Sequence, residues 1–262
     1  MPNYLEIAER AARVGGKILL DWRGKFQTRQ KGRNDFVTDA DFASQQAIRE
    51  VVLGAFPEHE FLGEEDIGGE SVRGGEFRWL VDPLDGTANY VHQLQTFAVS
   101  IALEQRGRLI VGVIYDPVSD ECFTAEAGGG AKLNGAPLRV SECRQLSDAM
   151  VAISFSNAVA RDSVEITRFV ETLLACQSIR RLGSAALNLA YIAAGRLDAY
   201  FATSVKIWDV AAGVLIVREA GGTVTALLGG ELNLERPEFL ASASGRLQQE
   251  LVELLKRAEA SR

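Results

Sequence analysis

Asp82 and Asp85 stand on either side of Pro83-Leu84 and are followed by Gly86-Thr87. Two carboxylates this close repel each other, and a hard divalent cation between them removes that cost because such cations favour oxygen ligands. Pro83 fixes its own φ and donates no hydrogen bond. Gly86 lets the chain approach a ligand closely, and Gly86 and Thr87 together offer N–H groups and a hydroxyl to an anion. The same spacing also suits a solvated acidic turn, so the remaining acids have to decide. Glu64 and Glu65 follow the apolar pair Phe61-Leu62, where charges beside a core strand are costly unless solvated or metal-bound. Asp209, in Lys206-Ile207-Trp208-Asp209-Val210-Ala211-Ala212-Gly213, stands at the start of a helix, where an ordinary N-cap worth about 1 kcal/mol is the simpler reading. Asp41 lies in the first turn of another helix, which favours an acid through the dipole alone. Gly183-Ser184-Ala185 opens a helix after a strand, an arrangement that suits an anion or a sugar hydroxyl and equally suits close packing.

Composition narrows the chemistry. The chain has 262 residues, 47% hydrophobic and 24% charged, enough for a sizeable core in one large domain or two closely packed lobes. A net charge of −7 argues against broad binding to nucleic acid or anionic membrane. Three scattered cysteines form neither a zinc pattern nor a disulfide framework, which points to a reducing cytoplasm. With two histidines only, His59 and His92, acid–base work falls to carboxylates and hydroxyls. The opening residues carry an acid early and no cationic apolar run, unlike a signal peptide, and no apolar window is long enough to span a bilayer.

The elements that must position these residues follow from periodicity. Apolar residues from Leu5 to Trp22 recur at helical spacing, and a second helix is expected over 40–55, capped by Thr38 or Asp39. Between them, 24–37 reads as a hairpin or loop with Lys25, Arg29, Lys31 and Arg33, either a solvated turn or a basic lid over a phosphate. Ile67–Glu76 reads as a loop. Trp79-Leu80-Val81 is a buried strand, 97–103 and 109–115 an antiparallel hairpin, and 121–125 a further strand. Glycines 128–130 and the stretch Lys132–Gly135 signal turns. After about residue 145 strands and helices alternate: strands at 150–155, 178–182, 198–202, 222–226 and 239–243, helices at 164–176, 184–194, 210–220 and 247–258. The expectation is an N-terminal lobe, 1–145, with a helix pair and a mainly antiparallel metal-binding sheet, and a C-terminal α/β lobe, 146–262.

Gly63-Glu64-Glu65, Asp82-Pro83-Leu84-Asp85-Gly86-Thr87 and Trp208-Asp209-Val210-Ala211-Ala212-Gly213, with Val37-Thr38-Asp39-Ala40-Asp41 and Arg181-Leu182-Gly183-Ser184-Ala185, resemble the signature segments of the inositol monophosphatase family across nearly the whole chain. The resemblance implies an α+β fold, a layered αβαβα sandwich, and a magnesium-dependent, lithium-sensitive phosphoric monoester hydrolase using two to three Mg²⁺ per subunit. It implies that Glu64, Asp82 and the Leu84 carbonyl hold one magnesium, that Asp82, Asp85 and Asp209 hold a second, and that Glu64 and Asp41 approach a third. Asp41 and Thr87, with Glu64, would orient the attacking water. Gly86 and Thr87 would hold the phosphate, and Gly183, Ser184 and Ala185, with Asp85 and Asp209, the substrate. Glu65 would support the metal site from behind and Lys31 would sit in a lid. A small phosphorylated sugar or polyol is the implied partner, inositol 1-phosphate first, with fructose 1,6-bisphosphate, histidinol phosphate and nucleotide-linked phosphates open. A cytoplasmic homodimer is implied as well. One position departs from the pattern: Ala202 stands where members acting on inositol phosphate usually carry a glutamate that binds ring hydroxyls, which loosens the expectation for inositol. The alternative class is a non-catalytic regulatory scaffold.

Overall fold

The computed structural model describes residues 3–32, 35–66, 75–156 and 158–260. Helix α1 (Tyr4–Trp22) is capped by Asn3, whose side chain accepts from the N–H of Leu5. The antiparallel pair β1 (Thr28–Gly32) and β2 (Asp35–Thr38) forms the expected hairpin and leads into α2 (Asp39–Ala55). Then come β3 (Glu60–Gly63), β4 (Phe77–Asp85), a short α3 (Thr87–Val91), β5 (Ala98–Gln105), β6 (Arg108–Asp116), β7 (Glu121–Glu126), β8 (Gly130–Leu133) and β9 (Ala136–Pro137). These strands make one sheet in chain order β3 to β9, antiparallel throughout except for the parallel β3–β4 pair. The remainder alternates: β10 (Met150–Ser154), α4 (Val164–Ala175), β11 (Ser178–Arg180), α5 (Ala185–Ala193), β12 (Ala199–Ala202), α6 (Ile207–Glu219), β13 (Thr223–Ala226), β14 (Phe239–Ser242) and α7 (Gly245–Ala260). Its five strands are ordered β11-β10-β12-β14-β13, with β10 parallel to β11 and β12, and β14 antiparallel to both its neighbours.

The two-residue period of the strands sorts the core into layers. Trp79, Val81, Val99 and Ile101 face α1 and α2, where they meet Leu19, Ile48 and Val52. Leu80, Ala98, Ala102 and Ile114 face the opposite side, against α5 and α6. Tyr200, Ala202, Phe239 and Ala241 close on the same helices from the second sheet. Its other face, with Val151, Phe201 and Leu240, packs on α7 through Leu247 and Leu251. The result is the layered αβαβα sandwich. Helix α6 lies between two sheets and is apolar nearly all round, as a fully enclosed helix should be. Small residues let it in: a Cβ on Gly213 would lie 2.5 Å from Leu189, and one on Gly112 would lie 2.8 Å from the Ala212 carbonyl.

One local feature differs from the sequence expectation: the glycine-rich stretch after β7 carries the strands β8 and β9 and not turns alone. Thr87 opens a helix of five residues. The expected Ile67–Glu76 loop falls at 67–74 outside the described residues. No described helix is long and apolar enough to cross a membrane.

Candidate active site

The site is built on an irregularity in β4. Residues three apart on a regular strand face opposite sides of the sheet. Here Asp82 pairs with Ser100 and Asp85 with Ala98, so three steps on β4 match two on β5. This bulge at Pro83-Leu84 brings both aspartates to one side, which is what such irregularities do near functional sites. The chain then turns at Gly86, whose φ of +96° and whose nearness to the Thr96 carbonyl, 2.9 Å from a built Cβ, exclude a side chain there. Glu64 arrives from the neighbouring parallel strand, its N–H donating to the Val81 carbonyl at 3.0 Å. Asp209 arrives from the first turn of α6, where one carboxylate oxygen accepts from the Lys206 N–H at 2.7 Å.

Glu64, Asp82, Leu84, Asp85, Gly86, Thr87, Gly183, Ala185 and Asp209 line one open cavity of about 230 Å³, with Phe36, Ala88, Ser154, Phe155, Arg181, Ser204 and Val205 forming the rest of its wall. Asp85 is buried and accepts three hydrogen bonds from the start of α5: from the Ser184 hydroxyl, the Ala185 N–H at 3.1 Å and the Ala186 N–H at 2.7 Å. The Thr87 hydroxyl lies 3.0 Å from the Leu84 carbonyl and 3.3 Å from Asp41. Asp41 sits behind Thr87, fully buried, and its second oxygen accepts from both the N–H and the hydroxyl of Thr38 at 2.8 and 2.6 Å. That pair is a capping box for α2, so Asp41 is held in place by helix formation itself.

The electrostatics are those of crowded anions. Burial pushes Asp82 well above the ordinary carboxylate range, and Glu64, Asp85 and Asp209 add repulsion. Burial does the same to Asp209, with Asp85 and Glu64 adding to it. Asp85 is pushed up to about 6 by burial, against the pull of its three donors. Asp41 is pushed up to about 7, burial again outweighing the Thr38 hydrogen bonds. Among the described residues, no three acidic, histidine or cysteine side chains are drawn into a finished cation cage. The donor set nonetheless fits magnesium: four carboxylates and a carbonyl, all hard oxygen donors, face one cavity and repel one another there.

Of the expected residues, Ser184 takes another place. Ser184 is buried and gives its hydroxyl to Asp85, so of the Gly183–Ala185 segment only Gly183 and Ala185 face the cavity. Glu65 is buried behind Glu64, its N–H donating to Gln45. Ala202 is packed in the core between α5 and the second sheet. Of its neighbours, Thr203 donates to Glu165 at 2.5 Å and Ser204 lines the cavity, while Lys206 stands outside it. Lys31 lies in β1, and its side chain is outside the described residues.

Sequence reasoning passed over Thr38 as an anchor for Asp41, although Thr followed by Asp three residues later is the capping-box pattern. It also passed over Asn89, whose amide donates to the carbonyls of Thr96 and Leu182, both at 2.7 Å, and so ties α3 to the turn at Gly183. No local pattern announces a bridge across that separation in the chain.

The sequence model of the inositol monophosphatase family matches residues 2–260. A Pasteurella multocida protein named Nus factor SuhB is 43% identical over 93% of this chain and 92% of its own length. An inositol-1-monophosphatase from Rhizobium meliloti is 41% identical over 88% of each chain. The crystal structure of the extragenic suppressor protein suhB from Bartonella henselae superposes with a TM-score of 0.90 at 38% identity, covering 96% of this chain and 98% of that one.

Proposed function

The chain belongs to the inositol monophosphatase family, and from that membership and the geometry of its cavity we propose that it is a magnesium-dependent phosphate monoester hydrolase acting on inositol 1-phosphate or a related small sugar or polyol phosphate. The observation that carries this reading is the convergence of Glu64, Asp82, Asp85 and Asp209, from three separate segments, on one cavity floored by Gly86-Thr87. Two to three magnesium ions bound there would supply positive charge to the phosphate and acidify the attacking water. The protein's own part is positional. Gly86 and Thr87 hold the phosphoryl group at the left-handed turn, and Asp85 keeps the start of α5 beside it. The Thr87 hydroxyl, between Asp41 and the Leu84 carbonyl, takes up the water's proton and passes it toward Asp41. No side-chain nucleophile is needed, so water attacks in line and no phosphoenzyme forms.

The two lobes, 1–145 and 146–262, serve as one catalytic unit in this reading. A cytoplasmic homodimer, sensitivity to lithium and the lack of a nucleic-acid partner are part of the same proposal. Phosphate release from inositol 1-phosphate with magnesium tests it. Asp209→Asn, which removes a proposed metal ligand, is expected to lower kcat/KM by more than about a hundredfold, the scale of losing one stabiliser of transition-state charge. A second reading comes from the relatives named Nus factor SuhB, a name that describes something other than a hydrolase. In that reading the chain is a scaffold that acts through partners. Purified protein that released no phosphate from inositol 1-phosphate, fructose 1,6-bisphosphate, histidinol phosphate or a nucleotide-linked phosphate would favour the scaffold.

A further inference from the structure

Glu165 stands in the first turn of α4, where an acid is favoured by the helix dipole alone. Its hydrogen bonds, however, come from outside that helix. The carboxylate accepts from the Ser156 N–H at 2.9 Å and from the Ser156 hydroxyl at 2.7 Å. It also accepts from the Thr203 hydroxyl at 2.5 Å. Ser156 follows β10 and Thr203 follows β12, neighbouring parallel strands whose backbone pairing ends at Ser154 and Ala202. Glu165 therefore ties the two chains together beyond their last paired residues. Burial pushes its carboxyl up, but the donors of Thr203 and Ser156 outweigh burial and hold it below the ordinary value.

The two tied segments supply part of the cavity. Ser154 and Phe155 line it just before Ser156, and Ser204 and Val205 line it just after Thr203. The carboxyl ends of parallel strands are the usual place for a ligand in such sheets. Ser154 accepts from the Tyr200 hydroxyl at 2.9 Å, which leaves its own proton for a ligand oxygen. The Phe155 ring has the Arg181 guanidinium 5.6 Å from its centre and makes an edge contact with Phe169 at 5.6 Å. In the proposed reaction the acids and Gly86-Thr87 serve the metal and the phosphate, which leaves the other lining residues for the alcohol. We propose that Glu165 is a positioning residue: it fixes the spacing of Ser154-Phe155 and Ser204-Val205, and through them selects the alcohol portion of the substrate by its size and hydroxyl pattern. The proposal rests on the phosphatase reading of the same site.

The test compares inositol 1-phosphate with glycerol 2-phosphate, whose smaller alcohol makes fewer contacts with the lining residues. Glu165→Ala is expected to lower kcat/KM on the inositol compound by roughly tenfold, the scale of losing one charged hydrogen-bonded contact. The loss should fall on KM, with kcat, and kcat/KM on glycerol 2-phosphate, changed less than about twofold. Glu165→Gln keeps an acceptor oxygen and is expected to restore most of the loss. Thr203→Val removes one donor from the same carboxylate and is expected to reproduce part of it, which keeps the test open if Glu165→Ala does not fold. Equal losses on both substrates, or a ratio that neither Glu165→Ala nor Thr203→Val alters, overturn this inference and leave the phosphatase reading standing. Calorimetric titration with inositol 1-phosphate separates the other failures. Absence of turnover on both substrates, with binding that Glu165→Ala or Thr203→Val weakens, overturns the phosphatase reading and upholds the positioning role. Absence of turnover with no binding, or with binding that the variants leave unchanged, overturns both.

Discussion

Asp41 offers the most quantitative test of how the site is held before metal arrives. Its side chain is fully buried and accepts from Thr38 and Thr87, yet burial pushes its carboxyl up to about 7. A carboxyl raised in the folded state leaves stability intact below its unfolded pKa, about 4, and costs stability as the pH rises through the folded value. The metal-free protein should therefore weaken between about pH 4 and pH 7. From 3.8 to about 7 is roughly three units, or about 4 kcal/mol at most from this one group. Asp41→Asn removes the charge and keeps an oxygen for the Thr38 donors, while its amide can face the Thr87 oxygen. Thermal unfolding in EDTA should show the two proteins alike near pH 4 and the variant higher at pH 8. Protein relaxation will absorb part of the 4 kcal/mol, so a rise of roughly 5–15 °C is expected for a chain of this size. Added magnesium should raise wild type at pH 8 by mass action and narrow the gap. An Asp41→Asn protein that melts below wild type at pH 8 without metal would refute the argument that burial penalises this carboxylate.

Two further outcomes concern the frame around the site. His59 stacks between Phe56 and Phe77, accepts from the Trp79 indole at 3.1 Å, and is lowered in pKa by burial. A depressed histidine contributes stability above its unfolded pKa that is lost as the pH falls through the folded value, so unfolding monitored by tryptophan fluorescence should show a loss below about pH 6 that His59→Phe abolishes. Gly213→Ala would place a methyl 2.5 Å from Leu189 between two buried helices. Denaturant unfolding should show a loss of roughly 1–3 kcal/mol.

Much of this molecule was legible because the informative residues announce themselves locally. The helix over 4–22, the hairpin before α2 and the alternation after residue 145 all follow from side-chain period and turn residues. Glu64, Asp82 and Asp85 stood out as charges beside a core strand, whereas Asp209 by itself reads as a helix cap and joined them only through the resemblance of the segments taken together. Their common cavity was not legible from spacing alone, since the decisive bulge at Pro83-Leu84 exists only in the pairing of β4 with β5. Ser184 was expected to face the substrate and instead holds Asp85, because a carboxylate remote in sequence offers its hydroxyl a better-enclosed partner. The pairing of Arg181 with Phe155 was hidden for the same reason: it depends on β10 and β11 ending side by side.

The three hydrogen bonds that Asp85 receives from α5 also bear on how such a protein can change over time. This carboxylate fastens a helix of the middle layer to the end of β4, so on the proposed phosphatase reading architecture and chemistry share one side chain. A descendant that gave up hydrolysis would still be held to Asp85 by the need to fold. Keeping that residue therefore says little about whether a relative is still an enzyme. Asp209, whose carboxylate accepts from the Lys206 N–H to cap its own helix, carries a lighter architectural obligation than Asp85. It is the position at which drift away from catalysis should first become visible.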